Sequence, residues 1–141
     1  MTTPWDPWIQ AYVDFTNAIA QGRLEYLSMY VADSFVAVIN GTEFDLSAFK
    51  NEIGRQRLAF SDFGQNIDLH ETYPENNTLL VSYDMYITFD GRLYNAAGQF
   101  QEPNGNRVKI TSTERYYFDA LNKITRVDMN ANPDMTWNQL S

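Results

Sequence analysis

Glu114 is the side chain in this sequence best placed to do chemistry. Val108, Ile110, Ser112, Glu114, Tyr116 and Phe118 recur at every second position and are mostly apolar or aromatic, which is the period of a strand with one buried face. That phase sets a carboxylate among apolar neighbours. Burial disfavours its charged form and raises its pKa toward useful acid–base work. The competing reading is a solvated ion pair with Arg115, Arg126 or Lys109. Tyr83 takes the inward side of an earlier strand, with Leu79, Val81, Met85, Ile87 and Phe89. Its hydroxyl could donate to an oxyanion or a ligand carbonyl while the ring packs the wall. The plainer alternative is a core aromatic.

Other chemistries fare worse. His70 is the one histidine; it alternates with Ile67 and Leu69, in phase with Asp68 and Thr72, and is expected on the outer face. Asp84 and Asp128 could form a carboxylate pair for hydrolysis, but alternation turns both outward, Asp128 together with Arg126. The absence of cysteine removes thiolate nucleophiles, thiolate metal sites and disulfides. No glycine-rich phosphate loop or nucleophile-elbow motif occurs. No metal or organic cofactor is therefore expected, although carboxylates alone can hold a hard cation. A net charge of −8 argues against nucleic acid and against anionic membrane surfaces.

The elements that must position these residues follow from periodicity. Asp6-Pro7 opens a helix whose apolar face carries Trp8, Tyr12, Phe15 and Ile19; Gly22 closes it. A second short helix is expected from Arg23 to about Val31. Phe35–Ile39 reads as a strand ended by Asn40-Gly41, and Asp45 caps a third helix running to about Phe60. From Ile67 the period is two, with strands near 67–73, 79–89, 108–118 and 124–130, separated by turns at Pro74–Asn77, Pro103–Gly105 and Asn122. Helices first and antiparallel strands afterwards make an α+β domain, expected as a single unit over 1–141. Met1 to Trp8 has neither a basic head nor an apolar run, so no signal peptide is expected and the cytoplasm is the default location. Trp5 and Trp8 would dock the N-terminus or line a partner surface.

Two stretches carry a family resemblance. One runs from Leu27-Ser28-Met29-Tyr30 through Ala32-Asp33-Ser34-Phe35. The other runs from Gly98 through Pro103 to Gly105, then to Tyr116-Tyr117-Phe118 and Asn122-Lys123-Ile124. With the element order, they resemble the SnoaL-like branch of the fold shared by nuclear transport factor two, ketosteroid isomerases and polyketide cyclases. The resemblance implies a cone: three N-terminal helices packed in a strongly curved, mixed or antiparallel sheet around a central pocket. It puts Glu114 where cyclases and isomerases keep a functional Asp, and matches Tyr30 to a helix-two tyrosine of the isomerases.

The resemblance also implies a cyclase or isomerase acting by acid–base chemistry on a small apolar or polyketide-like molecule. The catalytic set would be Glu114, Tyr83 and Tyr30, with Phe15, Val81, Met85, Ile110, Tyr116 and Met129 binding substrate. Pairing through the outer sheet face would make a homodimer. A steroid isomerase is disfavoured because Val38-Ile39-Asn40 lacks the expected carboxylate. A dehydratase would need two histidines, and an epoxide hydrolase an inward Arg and Asp. The alternative of another class is a non-catalytic ligand- or partner-binding module, or an accessory subunit, of the same fold.

Overall fold

The computed structural model describes residues 6–95 and 97–133. Trp5 and the apolar residues Met135, Trp137 and Leu140 lie outside the described residues.

Helix α1 spans Asp6–Ala20. Its last carbonyls, those of Ile19 and Ala20, accept from the Arg57 guanidinium at 2.9 and 3.0 Å, a cation at the negative end of the helix dipole. The expected second helix is a six-residue 3₁₀ turn, Leu24–Met29. Strand β1 then runs Val31–Ile39, starting earlier than Phe35, because Val31 already pairs in parallel with Ile124.

Asn40 and Gly41 both take positive φ, the geometry of a two-residue hairpin. They join β1 to a strand not expected from the sequence, β2 (Thr42–Asp45). Asp45 caps α2 (Leu46–Ala59) by accepting from the Ala48 N–H at 2.8 Å.

Strands β3 (Asn66–Glu75), β4 (Thr78–Thr88), β7 (Arg107–Phe118) and β8 (Ile124–Pro133) carry the rest of the large sheet. The 90–106 segment folds out as a small hairpin of β5 (Leu93–Tyr94) and β6 (Phe100–Gln101). Its root is fixed at Gly91, whose N–H donates to Ala59 O at 2.9 Å. A Cβ there would meet Leu58 O at 1.9 Å, so only glycine permits this approach to the end of α2.

The sheet order is β2-β1-β8-β7-β4-β3, with β1 and β8 parallel and the other pairs antiparallel. It is a curved, mixed sheet with the helices packed on one face, so the expected α+β cone forms. The β4–β7 register is unbroken from Thr78↔Tyr117 to Thr88↔Arg107. The long 90–106 connection therefore leaves the phase of Glu114 and Tyr83 intact.

A shift falls instead in β3, between Leu69 and Glu71. Ile67 and Leu69 face inward opposite Met85 and Tyr83, and beyond the shift Thr72 faces inward opposite Val81. This corrects the expectation that Thr72 shares His70's outer face: the extra residue of a bulge reverses the alternation after it.

Two apolar clusters form on the inner face. One joins α1 and α2 to β1, β7 and β8 around Phe15, Phe35, Phe49 and Tyr116. The other joins Phe60, Ile87, Phe89 and Val108 beneath the end of α2. Phe63 and Tyr83 pack against both, and the space between the clusters is the pocket.

Candidate functional site

The inner face of β7 presents Glu114 into that space. Cross-strand register sets it beside Val81 and Met129, with Ser112 beside Tyr83 and Ala131 in the adjacent row. Glu114 is 4% exposed. Tyr83 Oη donates to Oε2 and Tyr116 Oη to Oε1, each at 2.6 Å, and Ser112 Oγ lies 3.5 Å from Oε2.

The ion-pair alternative does not form. Arg115 donates to Thr78 at 2.8 Å and to Glu75 at 3.4 Å, Arg126 to Asp128 at 2.7 Å, and Lys109 lies 3.9 Å from Asp84. Among the described residues, every hydrogen-bond partner of Glu114 is a neutral hydroxyl.

Burial pushes the Glu114 carboxyl above its usual range, and the hydrogen bonds from Tyr116, Tyr83 and Ser112 oppose this without cancelling it. Burial, reinforced by the Glu114 charge, holds the Tyr83 and Tyr116 hydroxyls well above their ordinary values. Tyr12 is raised by the same two causes in the same order. All three tyrosines therefore stay protonated and available as donors near neutral pH.

Two adjoining cavities of about 280 and 290 Å³ share Glu114, Tyr83, Met85, Met129, Ile53 and Phe63 as walls. The first opens between α1 and the edge strand β3, past Tyr12, Ile67 and Leu69. The second opens between α2 and the ends of β7 and β8, past Arg55, Gln56, Ile110 and Ala131. Arg55 and Gln56 both donate to Glu52, which also lines the second cavity. Burial raises the Glu52 carboxyl, but these hydrogen bonds outweigh it and hold it below its usual value. That mouth is thus polar with its charges matched, while the interior is apolar.

Among the residues singled out from the sequence, Glu114, Tyr83, Met85, Ile110, Tyr116 and Met129 come together on these walls. Phe15, Val81 and Tyr30 line neither cavity. Phe15 and Val81 are fully buried in the helix–sheet core, with Phe15 packed between Phe35, Phe49 and Tyr116. Tyr30 packs against that core, and its carbonyl accepts from Ile124 N at 3.0 Å. α1 and α2 cover this end of the sheet, which removes these three residues from the open space.

Tyr12, Ile53 and Phe63 are pocket residues that alternation along the strands does not reveal. Tyr12 was visible on the apolar stripe of α1, but which part of that stripe meets the cavity depends on where the helix crosses the sheet. His70 and Asp84 bond each other at 2.9 Å on the outer face. The Thr111 hydroxyl, then His70 and Lys109, hold the Asp84 carboxyl below its usual range. Asp128 accepts from Tyr117 and Arg126, also outside the pocket.

This architecture is the SnoaL-like, nuclear-transport-factor-two-like fold. Similar solved structures include a SnoaL-like polyketide cyclase from Agrobacterium tumefaciens (TM-score 0.67, 19% identity, 94% of this chain and 93% of that one). A candidate SnoaL-like polyketide cyclase from Jannaschia superposes at TM-score 0.74 with 9% identity over 95% and 90% of the chains. AclR, a candidate hydroxylase from Streptomyces galilaeus, superposes at 0.71 with 15% identity over 89% and 88%. The sequence matches no family model and no curated protein. No helix among the described residues is long and apolar enough to cross a membrane.

Proposed function

We propose that the protein is a small-molecule enzyme of the cyclase or isomerase type. On this reading it moves a proton on an apolar or polyketide-like substrate bound in the cone. The observation that carries the reading is Glu114: a buried carboxyl with hydroxyl partners and no bonded cation, on the wall common to both cavities. Several structural neighbours are named polyketide cyclases and AclR a candidate hydroxylase, which supports a catalytic role on a small molecule.

The chemistry follows from the hydrogen bonds. Glu114, ionised, takes a proton from the carbon next to a substrate carbonyl. The C–H bond breaks, an O–H bond forms on the carboxyl, and the electron pair moves to the carbonyl oxygen as an enolate. Once protonated, Glu114 accepts less strongly from Tyr83, whose hydroxyl can turn to the enolate oxygen. Returning the proton to another carbon completes an isomerisation. Attack of the enolate carbon on a second carbonyl, whose oxygen takes the proton, completes a cyclisation.

A second copy would pair through the outer sheet face to give a cytoplasmic homodimer. The alternative of a binding module draws support from one feature: the carboxyl is already satisfied by hydroxyls, as a purely structural buried acid would be. Deuterium exchange at the carbon next to the carbonyl of small cyclic ketones, followed by NMR in heavy water, separates the two. The enzyme reading expects exchange that falls about 100-fold or more in Glu114→Gln. Equal exchange by both proteins, with ketone binding retained, would leave the binding module.

A further inference from the structure

Away from the pocket, the outer face of β3 and β4 gathers one imidazole and two carboxylates. Asp68 pairs directly with Asp84 across the ladder, a position where like charges repel. The bulge that follows adds His70 to the same face, and donor atoms of Asp68, His70 and Asp84 lie within 4.8 Å of one another.

Asp84 is the fixed member. Its side chain is 11% exposed, Oδ1 accepts from Thr111 at 2.8 Å, and Oδ2 lies 2.9 Å from His70 Nε2. Asp68 and His70 are exposed at the edge strand. Lys109 Nζ, 3.9 Å from Asp84, offsets part of the negative charge from a side chain that is 43% exposed.

We propose that Asp68, His70 and Asp84 bind a divalent transition-metal ion, with water completing its shell. One imidazole nitrogen and two carboxylate oxygens suit borderline ions such as Zn²⁺. Tetrahedral donors about 2.0–2.1 Å from zinc stand about 3.3 Å apart. The His70–Asp84 pair is already near that spacing, and rotation of the two exposed side chains closes the rest. The Thr111 hydroxyl on the other Asp84 oxygen orients the anchoring ligand, as outer-shell partners do. The ion replaces the repulsion between Asp68 and Asp84 with attraction, and Lys109 swings into solvent. This site is independent of the pocket reading but shares the outer sheet face with the proposed pairing of two copies, so it needs the β3 edge left open to solvent; it would reverse the expectation, drawn from a single histidine, that no metal is bound.

Calorimetric titration of the tag-free chain with zinc chloride at neutral pH tests it. One saturable site per chain is expected. His70→Ala and Asp68→Asn should each weaken it by about tenfold or more, and Lys109→Ala should strengthen it. On the unmodified chain, Co²⁺ should broaden amide signals within 66–72 and 82–86 first, a readout that needs no variant. The proposal is overturned by absence of saturable binding up to millimolar zinc. It is equally overturned by affinity unchanged in both weakening variants, or by cobalt broadening centred elsewhere.

Discussion

The Tyr83 hydroxyl reaches Glu114 Oε2 across 2.6 Å from the neighbouring strand, two residues along the β4–β7 register. Tyr116 Oη holds the other carboxyl oxygen at the same distance. The group is therefore pulled two ways: burial favours its neutral form, and the hydroxyls favour its charged form. Such a balance lets a carboxyl exchange a proton without a large change in its surroundings.

Removing one donor tilts that balance. Tyr83→Phe should raise the Glu114 pKa further and move the midpoint of the exchange-rate profile to higher pH. It should also slow exchange by about 10- to 100-fold. Rates measured across pH on the wild type and the variant check both effects. An unchanged midpoint would mean that the hydroxyl does not act on the carboxyl.

Glu114 also links stability to pH. Its folded pKa lies above its unfolded value, so the folded state binds the proton more tightly. The stability this contributes is fully present below the ordinary glutamate range and is lost as pH rises through the raised folded value. Denaturant unfolding of wild type and Glu114→Gln should show the wild type losing ground to the variant as pH climbs through that window. A difference independent of pH would contradict the linkage.

Thr72 offers a test of the bulge in β3. Its Oγ1 is buried and has no hydrogen-bond partner among the described residues, because the register shift turns it inward opposite Val81. Thr72→Val keeps the shape and removes the orphaned hydroxyl, and should stabilise the fold by up to about 1 kcal/mol. Loss of stability in chemical denaturation would show that Thr72 faces solvent, as uninterrupted alternation expects.

The proposed homodimer makes a direct prediction about mass. Light scattering after size exclusion at micromolar concentration should give twice the 16.3 kDa of one chain. A mass near that of one chain across the concentration range would exclude pairing.

The inward phase of Glu114, Tyr83, Tyr116 and Met85 was legible because β4 and β7 alternate without interruption through their shared register. Helix α2 was legible from Asp45 and the stretch up to Phe60. What escaped depends on contacts between distant segments. The start of β1 at Val31 is set by its parallel partner β8, and the bulge at His70 has no composition cue. Phe15 and Val81 carry the residue types of a pocket wall, but the helices close over them while leaving Tyr12 and Ile53 open to it. Tyr116 read as a substrate-binding neighbour of Glu114 on the same strand face, within reach of a hydrogen bond to the acid; that its hydroxyl takes Oε1 while Tyr83 takes Oε2 depends on the rotamers of both rings.

Glu114 is a buried acid bonded to hydroxyls, with a raised proton affinity. The most direct measurement is an NMR titration of its side-chain carboxyl carbon, assigned by comparison with Glu114→Gln. The expected midpoint lies clearly above the glutamate value of about 4.3 and rises again in Tyr83→Phe. A midpoint at or below that value, unmoved by the loss of the Tyr83 hydroxyl, would contradict the raised affinity.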